Sequence, residues 1–95
     1  MARYVTLIRF TEQGARAIKN STVRAEAFRK AAEKAGVKVE KQLWTVGACD
    51  GILILSADDA EQALATIAGL AAAGNVRTET MQAFEAAEFA EITGK

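Results

Sequence analysis

An α+β domain is predicted: a four-stranded antiparallel sheet, two helices on one face, and a short C-terminal helix. Three observations predict it. The apolar period switches between about 2 and about 3.6 in the order β-α-β-β-α-β. Gly36 and Gly74 stand where the two long helical patterns must stop. The run from Trp44 to Leu55, followed by Ser56-Ala57-Asp58-Asp59, compresses a turn, a fully apolar strand and a helix start into sixteen residues.

Tyr4 to Phe10 is the first strand by content and period, with Val5 and Leu7 on one side and Tyr4, Ile8 and Phe10 on the other. Thr11 can cap a short helical turn through Gly14–Ile18, and Asn20 or Ser21 caps the next helix. In that helix Ala25, Phe28, Ala32 and Ala35 share a face, while Glu26–Lys30 and Arg29–Glu33 pair on the outer side. A second strand runs from Val37 to Val46, and Gly47–Gly51 forms a turn ending in the hairpin dipeptide Asp50-Gly51. Ile52 to Leu55 is a third strand, apolar on both faces. Asp58 or Asp59 caps the following helix, and Asp58 with Glu61 has capping-box spacing. Ala60, Ala63, Leu64, Ile67, Leu70 and Ala71 are expected as its buried stripe. Asn75 to Ala83 alternates as a fourth strand, and residues 84–92 form a short acidic helix or tail with Phe89 and Ile92 as expected anchors.

Two split βαβ units in this order make the ferredoxin-like arrangement, and right-handed crossovers put both helices on one sheet face. An antiparallel sheet with one wet face should alternate apolar and polar residues. The third strand does not, and the first is apolar on both sides. The second face is therefore expected to be covered by another copy of the chain.

Residues 1–95 make one domain. Net charge is zero, but residues 1–47 carry a balance of +6 and residues 48–95 a balance of −6. The basic residues are scattered singly, so interleaved halves largely cancel and no nucleic-acid arm is expected. No apolar run reaches the ~20 residues of a membrane span, and no leader pattern precedes the first strand. With its single cysteine, Cys49, the chain fits a reducing, cytoplasmic setting.

The chain resembles the GYD domain family. The likeness is carried by Tyr4-Val5-Thr6-Leu7, Phe10-Thr11-Glu12-Gln13-Gly14, Arg24, Trp44-Thr45-Val46-Gly47, Cys49-Asp50, the apolar strand to Leu55 with Asp58, and Gly74-Asn75-Val76-Arg77-Thr78-Glu79-Thr80. Cys49 stands where the family's turn has tyrosine, Leu55 where it has glutamate and Ala57 where it has proline. The resemblance implies a ferredoxin-like protein of the dimeric α/β-barrel group and no particular activity.

There is no histidine, which removes the commonest general base and metal ligand. No metal-ligand spacing, phosphate loop or dinucleotide fingerprint is present, so no metal or cofactor is expected. Asp50 is the strongest candidate for chemistry: a carboxylate beside glycines and an apolar strand can act as a base, although a turn aspartate more often bonds backbone. Candidate ligand-binding residues are Arg24, Trp44, Cys49, Thr78 and Thr80. Trp44 could line a pocket, and Cys49 could be a thiolate if a cation lay near. Arg24 stands at a helix start where its charge is unfavourable, which points either to a carboxylate partner, Asp50 or a ligand, or to plain solvent exposure. These observations define two readings: an oligomeric small-molecule-binding or assembly module, whose ligand would be small and apolar or anionic, and a cofactor-independent enzyme of the dimeric α/β-barrel type with Asp50 as general base. A sheet face with only Ile and Leu on its third strand lacks the exposed aromatics of an RNA-binding sheet.

Overall fold

The chain runs β1 (Ala2–Phe10), α1 (Glu12–Arg16), a 3-10 turn (Ile18–Asn20), α2 (Ser21–Lys34), β2 (Lys38–Trp44), β3 (Gly51–Ala57), α3 (Ala60–Ala72), β4 (Val76–Ala83) and α4 (Ala86–Thr93), in a computed structural model that describes residues 1–95. The sheet order is β2-β3-β1-β4 with every neighbouring pair antiparallel. This is the expected ferredoxin-like topology.

Local chemistry sets the element ends. Thr11 caps α1 through Oγ1, which accepts from the Gly14 N–H at 3.2 Å while its hydroxyl donates to the Gly74 carbonyl at 2.6 Å. Gly14 is needed for that close approach: a Cβ there would lie 2.0 Å from the Asn75 carbonyl oxygen. Gly36 and Gly74 leave their helices at φ +85° and +83°. No side chain caps α2, because the preceding 3-10 turn already supplies an acceptor, the Ile18 carbonyl, to the Ser21 N–H. The cap of α3 is Asp59, whose Oδ1 accepts from the Gln62 N–H at 2.8 Å. The expected Asp58–Glu61 box does not form: the cap falls one residue later, on Asp59, which holds the extended backbone that a cap requires, and no reciprocal side-chain bond completes it.

Strand register sorts the side chains into rows. On one face lie Trp44–Gly51–Ile8–Thr78, Gln42–Leu53–Thr6–Thr80 and Val39–Leu55–Tyr4–Gln82. On the other lie Leu43–Ile52–Leu7–Glu79 and Lys41–Ile54–Val5–Met81. The first face carries the core: Leu53, Leu55, Ala57 and Thr6 are buried there, joined by Ala32 of α2, Val37, and Ala63 and Ile67 of α3. α2 rests on β2, and α3 on β3 and β4.

The second face has no helix over it. Its centre is apolar, with Val5, Leu7, Ile52 and Ile54 half-buried and Leu43 and Met81 exposed. Charges close both ends. A bulge between Val39 and Lys41 leaves Glu40 without a ladder partner, and Glu40 accepts from Arg3 Nε at 3.0 Å. Arg3 also pairs with Glu85. At the opposite end Arg9 lies 3.9 Å from Glu79.

Two expectations are corrected. Leu64 is 69% exposed, and Ala60 and Ala71 are exposed too. The inward line of α3 is Ala63, Thr66, Ile67 and Leu70, so Leu64 falls one step around the helix from it. Phe89 and Ile92 do not anchor α4: they are 62% and 50% exposed, and the whole helix lies at the surface. Its start is secured locally by the reciprocal Glu85–Glu88 capping box. Only 11 of 95 residues are buried, and the radius of gyration is 14.1 Å, against about 12 Å for a compact chain of this length. One copy alone therefore leaves much of its apolar surface in water.

Candidate functional site

The space between α2 and α3, floored by the covered face of the sheet, is a cleft of about 610 Å³. Small residues open it. Gly51 contributes no side chain to the row between Trp44 and Ile8. The helices above present Ala25, Ala31 and Ala32 from α2, and Ala65 and Gly69 from α3. Phe28, Leu70, Ile8, Phe10, Leu53 and Val76 complete the apolar wall, and 16 of the 24 surrounding residues are hydrophobic. That volume and composition match sites for small, mainly apolar molecules.

Three predicted residues line the cleft: Arg24, Trp44 and Asp50. Trp44 is held at its edge by the indole Nε1, which donates to Ser21 Oγ at 3.0 Å. Asp50 is tied at three points. Its N–H donates to the Ile8 carbonyl at 2.8 Å, its carbonyl accepts from the Thr45 N–H at 2.9 Å, and its carboxylate Oδ2 accepts from the Phe10 N–H at 2.9 Å. The side chain thus extends the β1–β3 ladder beyond the last backbone pair.

Arg24 does not meet Asp50. Its guanidinium donates to the Ala17 carbonyl at 2.8 Å and the Gly14 carbonyl at 3.5 Å. It closes the C-terminal end of α1, where unpaired carbonyls favour a cation. The unfavourable position at the start of α2 is offset by this favourable one at the end of another helix. No carboxylate pairs with it.

Cys49, Thr78 and Thr80 lie outside the cleft. Cys49 packs in its own turn, with Sγ 3.5 Å from Thr45 Oγ1. Thr80 shares a hydrogen bond with Thr6 across the β1–β4 ladder, Oγ1 to Oγ1 at 2.9 Å. Both β4 threonines stand on the helix-covered face, but the cleft reaches this strand only at Val76.

Residues not singled out from the sequence shape the site as much. Phe28 and Leu70, expected on the buried faces of their helices, pack against the core and also line the cleft. Thr66 also lines the cleft, with its Oγ1 cut off from solvent and holding no hydrogen-bond partner. A threonine in an alanine-rich helix reads as neutral in sequence, and only its position on the inward line marks it. No three histidine, cysteine, aspartate or glutamate side chains come together as a metal site. No helix is long and apolar enough to cross a membrane.

Fold and site together define a ferredoxin-like α+β domain with an apolar cleft between helix layer and sheet. The family model of the GYD domain matches residues 4–93, and the chain belongs to that family. The crystal structure of TTHA0845 from Thermus thermophilus is similar over 90% of this chain and 96% of its own, with 24% identity and a TM-score of 0.59. At that identity the likeness speaks for the fold. Among curated proteins nothing matches.

Proposed function

We propose that this GYD-domain protein is a homo-oligomeric small-molecule-binding module whose ligand occupies the cleft between α2, α3 and the sheet. The observation that carries the reading is the cleft itself: about 610 Å³, walled mainly by alanine, aromatic and aliphatic side chains. In a domain with 11 buried residues, so large an apolar hollow forgoes packing that the fold could use. The partner is a second copy, seated on the uncovered sheet face. Supporting this, the apolar rows of Val5, Leu7, Ile52 and Ile54 are bounded at both ends by charges of both signs, a pattern that can complement itself about a two-fold axis.

A second reading, an enzyme using Asp50 as general base, draws on one observation: Asp50 borders the cleft, and its Oδ1 carries no hydrogen bond to the protein. Its other attachments favour a structural task, which ranks binding first.

Native mass spectrometry of freshly purified protein tests the binding reading. A mass excess of a few hundred daltons per chain, lost on denaturation and absent when Gly69→Leu fills the cleft, supports it. A filled-cleft variant that retains the same excess contradicts it.

A further inference from the structure

Nothing in its own chain buries α4. Every residue from 84 to 95 is exposed, Phe84, Phe89 and Ile92 among them. Phe89 and Ile92 stand three apart and share one side of the helix. A helix of eight residues is marginal in water unless something packs on it, and the Glu85–Glu88 box secures only its first turn.

The position of α4 limits what can cover it. β4 ends at Ala83, in the sheet row Lys38–Ser56–Arg3–Ala83. By strand alternation that row faces the same way as Val5 and Ile54, on the uncovered side of the sheet. Two residues beyond Ala83, Glu85 pairs with Arg3 of the same row. The pair draws the start of α4 toward the uncovered side, where the second copy is proposed to sit.

Charge narrows the choice further. The uncovered face carries Arg3, Arg9, Lys38, Lys41 and Arg77 against only Glu40 and Glu79. Arg3 and Arg9 are paired, whereas Lys38, Lys41 and Arg77 form no ion pair. The helix is the reverse: it holds Glu88 and Glu91, no basic residue, and no ion pair for either carboxylate. Two sheets set face to face about a two-fold axis parallel to the strands place each β4 over the partner's β2, with the rows level. The partner's Lys38 then stands opposite Ala83, where α4 begins. Lys41 and the exposed Leu43 follow on the same edge and face of that strand. An axis running across the strands would bring α4 to the partner's Arg77 instead, one cation in place of two.

We infer that α4 is an arm for the second copy, docking on the partner's β2 edge with Phe89 and Ile92 buried there and Glu88 and Glu91 facing the partner's Lys38 and Lys41. This rests on the second-copy reading above and adds the element that reaches across.

Two charge-reversal variants of the full chain test it, Glu88→Lys with Glu91→Lys and Lys38→Glu with Lys41→Glu. All four positions are exposed or solvent-facing, and circular dichroism checks that each variant is folded. Sedimentation velocity should show each variant alone dissociating at least roughly tenfold more readily than the wild type, because like charges then meet across both copies of the contact. An equimolar mixture, with one variant labelled with nitrogen-15, should give the 1:1 heterodimer in native mass spectrometry, since opposite charges meet again at both contacts. Phe89→Ser with Ile92→Ser should weaken the dimer in the same way. A dimeric wild type whose charge and serine variants dimerise equally well overturns the arm and leaves the second-copy reading standing. Variants that dissociate but form no heterodimer overturn the pairing of α4 with the partner's β2. A monomeric wild type overturns the inference and the second-copy reading together.

Discussion

The two faces of this sheet are built from similar residues and meet opposite fates. On the covered face Leu55 and Thr6 are wholly buried, and the helices bring Ala32, Ala63 and Ile67 down onto them. On the other face Val5, Leu7, Ile52 and Ile54 stay half in water, and nothing in the chain folds over them. The covered face is itself unevenly filled: tight under Leu55, hollow over Gly51 and beneath the alanines of α2 and α3. Hydrophobicity alone therefore does not say where a core will form. Crossover handedness chooses the face, and side-chain volume on the helices decides whether it is packed or left as a cleft.

The sharpest contrast comes from truncating one apolar residue on each face. Leu55→Ala should cost about 2–5 kcal/mol, because a fully enclosed side chain leaves a cavity. Ile54→Ala, one residue away and pointing the other way, should cost far less in a single copy and act mainly on association. Denaturant midpoints at several protein concentrations separate the two. Equal, concentration-independent losses would show the faces to be energetically alike.

Asp50 allows the next test, at the cleft's edge. Asp50→Ala should destabilise by about 1–3 kcal/mol, since the Phe10 N–H loses its acceptor. Asp50→Asn should cost much less, because the amide oxygen still accepts. If alanine is harmless, the carboxylate is not holding the strand end, and the catalytic reading rises.

The sequence made the skeleton of this comparison legible and hid its detail. Strands, helices and the two glycine stops follow from period and turn chemistry, and β1 begins only two residues before its expected start. The apolar content of both sheet faces was readable as well. The bulge at Glu40 was not, because one extra residue in a strand leaves no compositional mark until register is known. The cleft was equally hidden: alanines on α2 and α3 look like ordinary helix formers, and only their shared position over Gly51 opens a hollow. Arg24 and Asp50 were found as site-bordering residues, yet their partners are backbone groups, which no side-chain pattern encodes. Phe89 and Ile92 were expected to anchor α4, yet both are exposed.

The smallest expected effect concerns the charged rim of the open face. Hydrogen bonds from Arg3 hold the Glu40 carboxyl below the usual glutamate range, outweighing the opposing effect of partial desolvation. A lowered folded-state pKa stabilises above the unfolded value of about 4.3 and loses that contribution as pH falls through the folded value. Wild-type stability should therefore fall between about pH 5 and 3 somewhat more steeply than that of Glu40→Gln. Parallel curves from chemical denaturation would remove the Arg3–Glu40 pair from the account.

Sedimentation velocity at micromolar concentration, wild type against Ile54→Glu, tests most directly whether a second copy covers the open face. The wild type should sediment as a dimer or a multiple of one, with no dominant 10.1 kDa species. Ile54→Glu should be monomeric with its circular dichroism retained, because a carboxylate cannot be buried there without a partner. A wild type that sediments as a clean 10.1 kDa monomer contradicts the claim.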